Sequence, residues 1–162
     1  MRFIAGVMLQ QLLKPPAIMV DRIINNMEIS NNSSSESTSS KPVFGLIVTH
    51  SDIGSELLKA AESIVGPLEH LAALSSKDVG FDSLCRQIQN AIHPDNDTVI
   101  MVDYFGGSAH IAARALRKLK TQQTIISGVN LPMLLSFITK REQLTYPKLV
   151  EVIRTDAIRG IR

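Results

Sequence analysis

From Val43 onward the chain alternates short apolar runs with segments whose apolar residues recur at helical spacing. VFGLIVT (43–49) and TVIMV (98–102) are nearly uninterrupted and rich in β-branched residues, the pattern of strands covered on both faces. Residues 68–74 and 124–129 read as two further strands. Between them, residues 55–65 place Leu57, Leu58, Ala61, Ile64 and Val65 on one side of a helix that Gly66-Pro67 ends. Residues 81–92 repeat the device with Phe81, Leu84, Cys85, Ile88 and Ile92. Further helices are predicted over 108–120, where Ser108 is a good N-cap and Lys118 and Lys120 suit the negative end. Two more are predicted over 132–140, with Pro132 in the first turn, and over 147–158. Strand alternating with helix predicts an α/β fold: a doubly wound, mainly parallel four-stranded sheet with helices on both faces. The order assumed is 2-1-3-4.

The first 42 residues follow a different pattern. Ser30 to Ser40 (SNNSSSESTSS) holds seven serines and cannot bury enough apolar surface to offset its ordering entropy. The chain is therefore divided into a flexible N-terminal segment with a serine-rich linker (1–42) and a folded domain (43–162). The apolar stretch Phe3–Leu9 is too short to span a bilayer, and it lacks the flanks and cleavage site of a signal peptide. Pro15 and Pro16 stop any helix begun before them, and Met19 and Met27 are alternative starts.

Composition narrows the function. The chain of 162 residues is 44% hydrophobic and 20% charged, enough to build a buried core. A net charge of +2, dispersed along the chain, argues against a nucleic-acid surface. Cys85 is the single cysteine, which excludes an internal disulfide and the cysteine-rich zinc sites and suits a reducing cytosol. No His/Cys/Asp/Glu spacing suggests a metal.

In open parallel sheets, sites form beyond the carboxyl ends of the strands where the strand order reverses. Strand one ends in Thr49-His50-Ser51-Asp52, strand three in Asp103-Tyr104-Phe105-Gly106-Gly107-Ser108, and strand four in Gly128-Val129-Asn130-Leu131-Pro132. With the order 2-1-3-4, His50 and Asp103 face each other across the reversal. A carboxylate that accepts the proton on one ring nitrogen fixes the tautomer and leaves the other nitrogen a free lone pair. That nitrogen can serve as general base, metal ligand or nucleophile. Two helix amino ends aimed at the site favour an anionic reaction partner, and Gly106-Gly107 allow close backbone approach. Taken singly, His50 and Asp103 read as a satisfied polar residue and a helix cap, and the glycines as a turn. His70 and His93 read as structural or solvated, His110 as able to approach the site but better suited to a helix face, and Cys85 as packing.

Three segments together go further. GLIVTHSDIGSELLKAAESIVG (45–66), VDYFGGSAHIAARAL (102–116) and ISGVNLPMLLSFI (126–138) resemble, in order and spacing, the enzyme IIA component of the mannose-type sugar phosphotransferase system. The resemblance covers Val43 to Arg162. It implies a cytoplasmic phosphocarrier that needs no cofactor or metal. A phosphoryl group from phosphoenolpyruvate would reach a histidine of this chain from phospho-HPr. It would pass to a separate IIB protein, and finally to sugar carried by a membrane IIC/IID permease. The family's phosphorylated histidine falls on His50, modified at Nε2. Its partner aspartate, expected at Nδ1, falls on Asp103, and its phosphate-contacting serine on Ser108. An apolar rim of Phe105, Leu131 and Met133 is expected to dock the partners.

The chain departs from the family pattern at Phe105, where a Trp is usual, and at Ala109, where a Pro is usual. A final strand that such proteins exchange between subunits is short or absent in Ile158–Arg162, which weakens the implied homodimer. Other readings remain. One is a regulatory phosphotransfer protein without a sugar permease. A dihydroxyacetone-kinase phosphocarrier is disfavoured because the chain lacks that group's Gly-Thr-Asp segment. A receiver-like signalling module phosphorylated on Asp103 would want an acidic pair after strand one. A flavodoxin-type ligand domain would want a Ser/Thr-rich loop there.

Overall fold

Four strands and five helices follow one another along residues 42–116 and 121–161, which the computed structural model describes. The expected flexible segment, apart from Pro42, and the predicted end of the third helix lie outside the described residues. The strands are β1 (Phe44–Thr49), β2 (Leu71–Ser75), β3 (Thr98–Val102) and β4 (Gln123–Ser127). The helices are α1 (Ile53–Val65), α2 (Phe81–Ala91), α3 (Ser108–Ala115), α4 (Leu131–Lys140) and α5 (Tyr146–Arg159).

All strand pairs are parallel and the order is β2-β1-β3-β4, so this is the doubly wound α/β sheet that the sequence pattern predicts. Side chains alternate across it. Ile47, Val99, Met101 and Ile126 point to a layer built from α1, α4 and α5, where Met133, Leu134, Phe137, Leu149 and Ile153 meet them. Leu46, Val48, Ile100 and Val102 point the other way, onto Leu84 and Ile88 of α2 and Ala109, Ala112 and Ala113 of α3. β3 is buried along its whole length. Each such aliphatic side chain contributes roughly 1.5–3 kcal/mol relative to exposure.

Polar contacts pin the helices that carry no strand of their own. Asp156 of α5 accepts from Ser136 Oγ at 2.5 Å and from Lys140 Nζ at 2.9 Å, which ties α5 to α4. Arg141 donates to the Glu69 carbonyl at 2.6 Å and lies 5.7 Å from the Phe137 ring centre. Burial lowers the pKa of this guanidinium. Tyr146 Oη donates to the Thr98 carbonyl at 2.8 Å and so fastens the start of α5 to β3.

Element ends differ from expectation by a few residues for identifiable reasons. β2 begins at Leu71, after His70 adopts a left-handed φ of 51°. β4 stops at Ser127 because Gly128 turns the chain with φ 87°. α1 starts at Ile53, because Gly54 packs against β1 inside the first turn instead of breaking it. The N-cap of α3 is Gly107, so Ser108 is its first helical residue.

Two predictions follow from this packing. A Cβ on Gly45 would lie 2.6 Å from Leu71 Cδ2 and 2.7 Å from Phe137 Cε1. Gly45→Ala should therefore cost about 1–3 kcal/mol, read as a lower denaturant midpoint at unchanged m-value. Burial pushes the Tyr146 hydroxyl up to about 12. Because the folded value lies above the ordinary one near 10, its contribution is full below about pH 10 and is lost as pH rises through about 12. A tyrosinate absorbance titration should show one late-ionising phenol, missing in Tyr146→Phe, which should also lose about 1–2 kcal/mol.

Candidate functional site

The polarity of the sheet creates the site. β1 and β3 are parallel neighbours, with Val48 opposite Val102, so both chains leave the sheet at the same level. α1 leaves toward one face and α3 toward the other, which opens a crevice between them. His50 is the first residue beyond β1 and Asp103 the first beyond β3.

The β1 end is held from below. Thr49 is fully buried, and its Oγ1 accepts from Gly54 N at 2.8 Å, which draws the first turn of α1 onto the strand. Gly54 permits this: a Cβ there would sit 3.0 Å from that hydroxyl and 3.0 Å from Ile47 Cγ2. The Thr49 carbonyl accepts from Ser76 N at 2.8 Å. Ser51, directly after His50, carries φ 54°, a left-handed conformation that costs a non-glycine residue roughly 1–2 kcal/mol. His50 itself is exposed.

Asp103 joins the two strand ends. Its Oδ2 accepts from the main-chain N–H of His50 at 2.7 Å, and its Oδ1 from Tyr104 N at 3.0 Å. The expected contact with the imidazole Nδ1 is replaced here by a contact with the histidine's own backbone. Both carboxylate oxygens are thus engaged by amides that the strand ends would otherwise leave unpaired. The Asp103 carbonyl also accepts from Gly128 N at 3.0 Å, and that amide is shared with the Val102 carbonyl at 2.9 Å. The loop after β4 is therefore fastened to the loop after β3. Asn130 finishes that loop: its Oδ1 accepts from Met133 N at 2.9 Å, capping α4, and its Nδ2 donates to the Ala157 carbonyl at 3.2 Å.

The segment Tyr104–Ser108 forms the other wall. Gly106 has φ 84°, and a Cβ on Gly107 would lie 2.6 Å from the Tyr104 ring. Ser108 is exposed at the amino end of α3, where first-turn N–H groups lack intrahelical partners. Phe105 is 75% exposed and Tyr104 60%, while Ile53 at the start of α1 is 49% exposed. These three give the crevice an apolar margin. Leu131 is partly exposed. Met133 is not part of any margin: it is 2% exposed and packs in the core with Leu134 and Phe137. The inward stripe of α4 runs through these residues, which corrects the expectation that Met133 docks partners.

Sequence reasoning passed over several contributors. Thr49 supplies an anchor through a buried hydroxyl, and Ile53 and Tyr104 supply apolar margin. His110 is 7% exposed on α3, accepts from Gly106 N at Nδ1 (3.3 Å) and places its ring 4.5 Å from that of Phe105. Its position four residues after Gly106, one turn into a helix, was the available signal. Cys85 packs beside the α2–α3 layer, as expected. A cavity of about 500 Å³ lies along the outer edge of β4, lined by His110, Arg114, Gln123, Thr124 and Arg154 among others; His50 does not border it. Among the described residues no helix is long and apolar enough to cross a membrane, and no cluster of His, Cys, Asp and Glu could hold a metal.

Known proteins are similar to this chain. The PTS system fructose-specific EIIA component of Bacillus subtilis (strain 168) is 27% identical over 113 residues, which cover 67% of this chain and 77% of that protein. The same fold occurs in a phosphotransferase system component EIIA from Streptococcus agalactiae. It matches with TM-score 0.71 and 21% identity over 74% of this chain and 95% of that one. It occurs also in the mannose/sorbose-specific IIA subunit from Enterococcus faecalis, with TM-score 0.66 and 17% identity over 75% of this chain and 94% of that one. The family model for the PTS system fructose IIA component, EIIA-man, matches residues 45–154, from the first strand through most of the last helix. With both strand ends and all of the sheet but Phe44 inside that match, the chain belongs to the fructose- and mannose-type IIA components of the sugar phosphotransferase system.

Proposed function

We propose that the protein is a phosphocarrier that takes a phosphoryl group from phospho-HPr onto His50 Nε2 and gives it to a IIB protein for sugar uptake. The observation that carries this is the exposed imidazole of His50, set beside Asp103 by the 2.7 Å bond at the reversal of strand order. An exposed crevice suits a reaction whose two other participants are proteins. The apolar margin of Ile53, Tyr104 and Phe105 suits brief docking of each in turn, through a small interface.

In the forward step the N–P bond on the donor imidazole breaks as a bond from His50 Nε2 to phosphorus forms. The electron pair of the broken bond returns to the donor ring, and His50 keeps its proton on Nδ1. Bond formation and cleavage are of the same kind, so the protein mainly aligns the groups and stabilises charge on the moving phosphoryl oxygens. The Ser108 hydroxyl and the first-turn amides at the exposed start of α3 would receive those oxygens. Asp103 fixes the main chain of His50, and hence the point from which the ring reaches the phosphorus. Its negative charge beside that residue also favours the ring's positive phosphorylated form.

Incubation with phosphoenolpyruvate, enzyme I and HPr should place one acid-labile phosphoryl group on the chain. His50→Ala should accept none while keeping its thermal unfolding transition; label arriving at the normal rate would rule out His50. Asp103→Asn replaces a charge-assisted contact with a weaker one and sets an amide donor against a main-chain N–H. Its transfer rate should fall about 10- to 100-fold in rapid-quench assays, and an unchanged rate would remove Asp103 from the mechanism.

A further inference from the structure

His110 is buried at the junction between the candidate site and α3, yet the reaction as described gives it no task. We infer that His110 is a positioning residue for phosphoryl transfer: its Nδ1 and its ring separately hold Gly106 and Phe105 in the wall facing His50. The inference rests on the reading of His50 as the phosphoryl acceptor and goes beyond it.

The geometry divides into two contacts. His110 Nδ1 lies 3.3 Å from Gly106 N and accepts its proton. An imidazole nitrogen can accept only through a free lone pair, so this contact requires the tautomer that carries its proton on Nε2. This contact fixes the amide of a glycine that sits at φ 84° and has open space where a Cβ would be. Little else restrains so permissive a residue. It also engages the Gly106 N–H, so the donors left for phosphoryl oxygens in the proposed transfer are those of α3 and Ser108. The second contact is between rings: Phe105 and His110 have centroids 4.5 Å apart and planes at 43°. Phe105 is 75% exposed, so this contact gives a docking side chain a preferred direction. The histidine thus serves the chemical step through one atom and partner docking through its face.

Two substitutions separate these tasks. His110→Asn keeps an acceptor, Oδ1, at nearly the reach of Nδ1 and removes the ring. His110→Phe keeps a ring against Phe105 and removes the acceptor. For transfer from phospho-HPr, His110→Phe should lower kcat about three- to tenfold, as loss of a neutral hydrogen bond predicts, with KM within about twofold of the parent. His110→Asn should keep kcat within about twofold and raise KM about threefold or more. A merely structural histidine would give both variants the same losses, and that result would overturn the proposal.

A measurement on the unmodified, nitrogen-15-labelled full chain stands apart from activity. Scalar coupling across the hydrogen bond should link Gly106 N to His110 Nδ1, and the Gly106 amide should exchange slowly with solvent. His110→Phe should accelerate that exchange at least about tenfold, while His110→Asn should preserve it. Absence of the coupling overturns the proposal even if neither variant folds. If the parent protein shows the coupling but never accepts a phosphoryl group, the assignment of His50 fails while the anchoring of Gly106 stands.

Discussion

The bond between the Asp103 carboxylate and the main-chain amide of His50 is the constraint on which the site depends. Two parallel strands end side by side, and their next residues must leave toward opposite faces of the sheet. That divergence leaves amides without ladder partners. One carboxylate takes two of them, His50 N at 2.7 Å and Tyr104 N at 3.0 Å, and so closes the gap from which the crevice grows. Without that closure nothing in the ladder would fix the spacing between the histidine and the loop that faces it.

The rest of the molecule makes this closure affordable. The left-handed Ser51 and the exposed Tyr104 and Phe105 each cost stability at one end of the sheet. Away from that end the sheet is covered on both faces, and β3 is buried throughout. α4 and α5, joined through Asp156, Ser136 and Lys140, cover the layer that would otherwise leave Met101 and Ile126 bare. Asn130 links the two scales: its capping bond starts α4, its amide reaches α5, and its loop is tied to Asp103 through Gly128.

Much of this was legible in the amino-acid order because both faces of the sheet impose the same demand. A strand such as TVIMV has few alternatives to burial, and its predicted limits agree with β3. The pairing of His50 with Asp103 followed once the strand order was assumed, since strand-end residues of neighbouring parallel strands have little freedom in placement. Less visible were features set by single side chains in three dimensions. Whether Asp103 bonds the ring or the backbone of His50 depends on a few degrees of loop geometry. Met133 was misjudged because a short helix after a site-forming loop has residues near the site on both its faces, and only packing against Leu134 and Phe137 decides which is inward. His110 was weighted toward a helix face because its spacing from Gly106 shows only that its ring could turn back to that glycine, and packing decides that it does.

Anchoring the histidine through its backbone has a consequence for the carrier role proposed above. A carboxylate locked onto the ring itself would hold one imidazole orientation. It would favour a single loaded or unloaded state, whereas a relay between two similar partners works best when neither state is strongly preferred. With both oxygens of Asp103 on main-chain amides, the backbone of His50 is held at an exposed strand end by a carboxylate that bonds main chain and not the ring. In the proposed relay, a fixed position would serve alignment with two successive proteins, and a ring not bound by the carboxylate could turn from one to the next. A similar division recurs across the crevice, where His110 bonds the backbone of Gly106 and most of the Phe105 surface stays open to solvent.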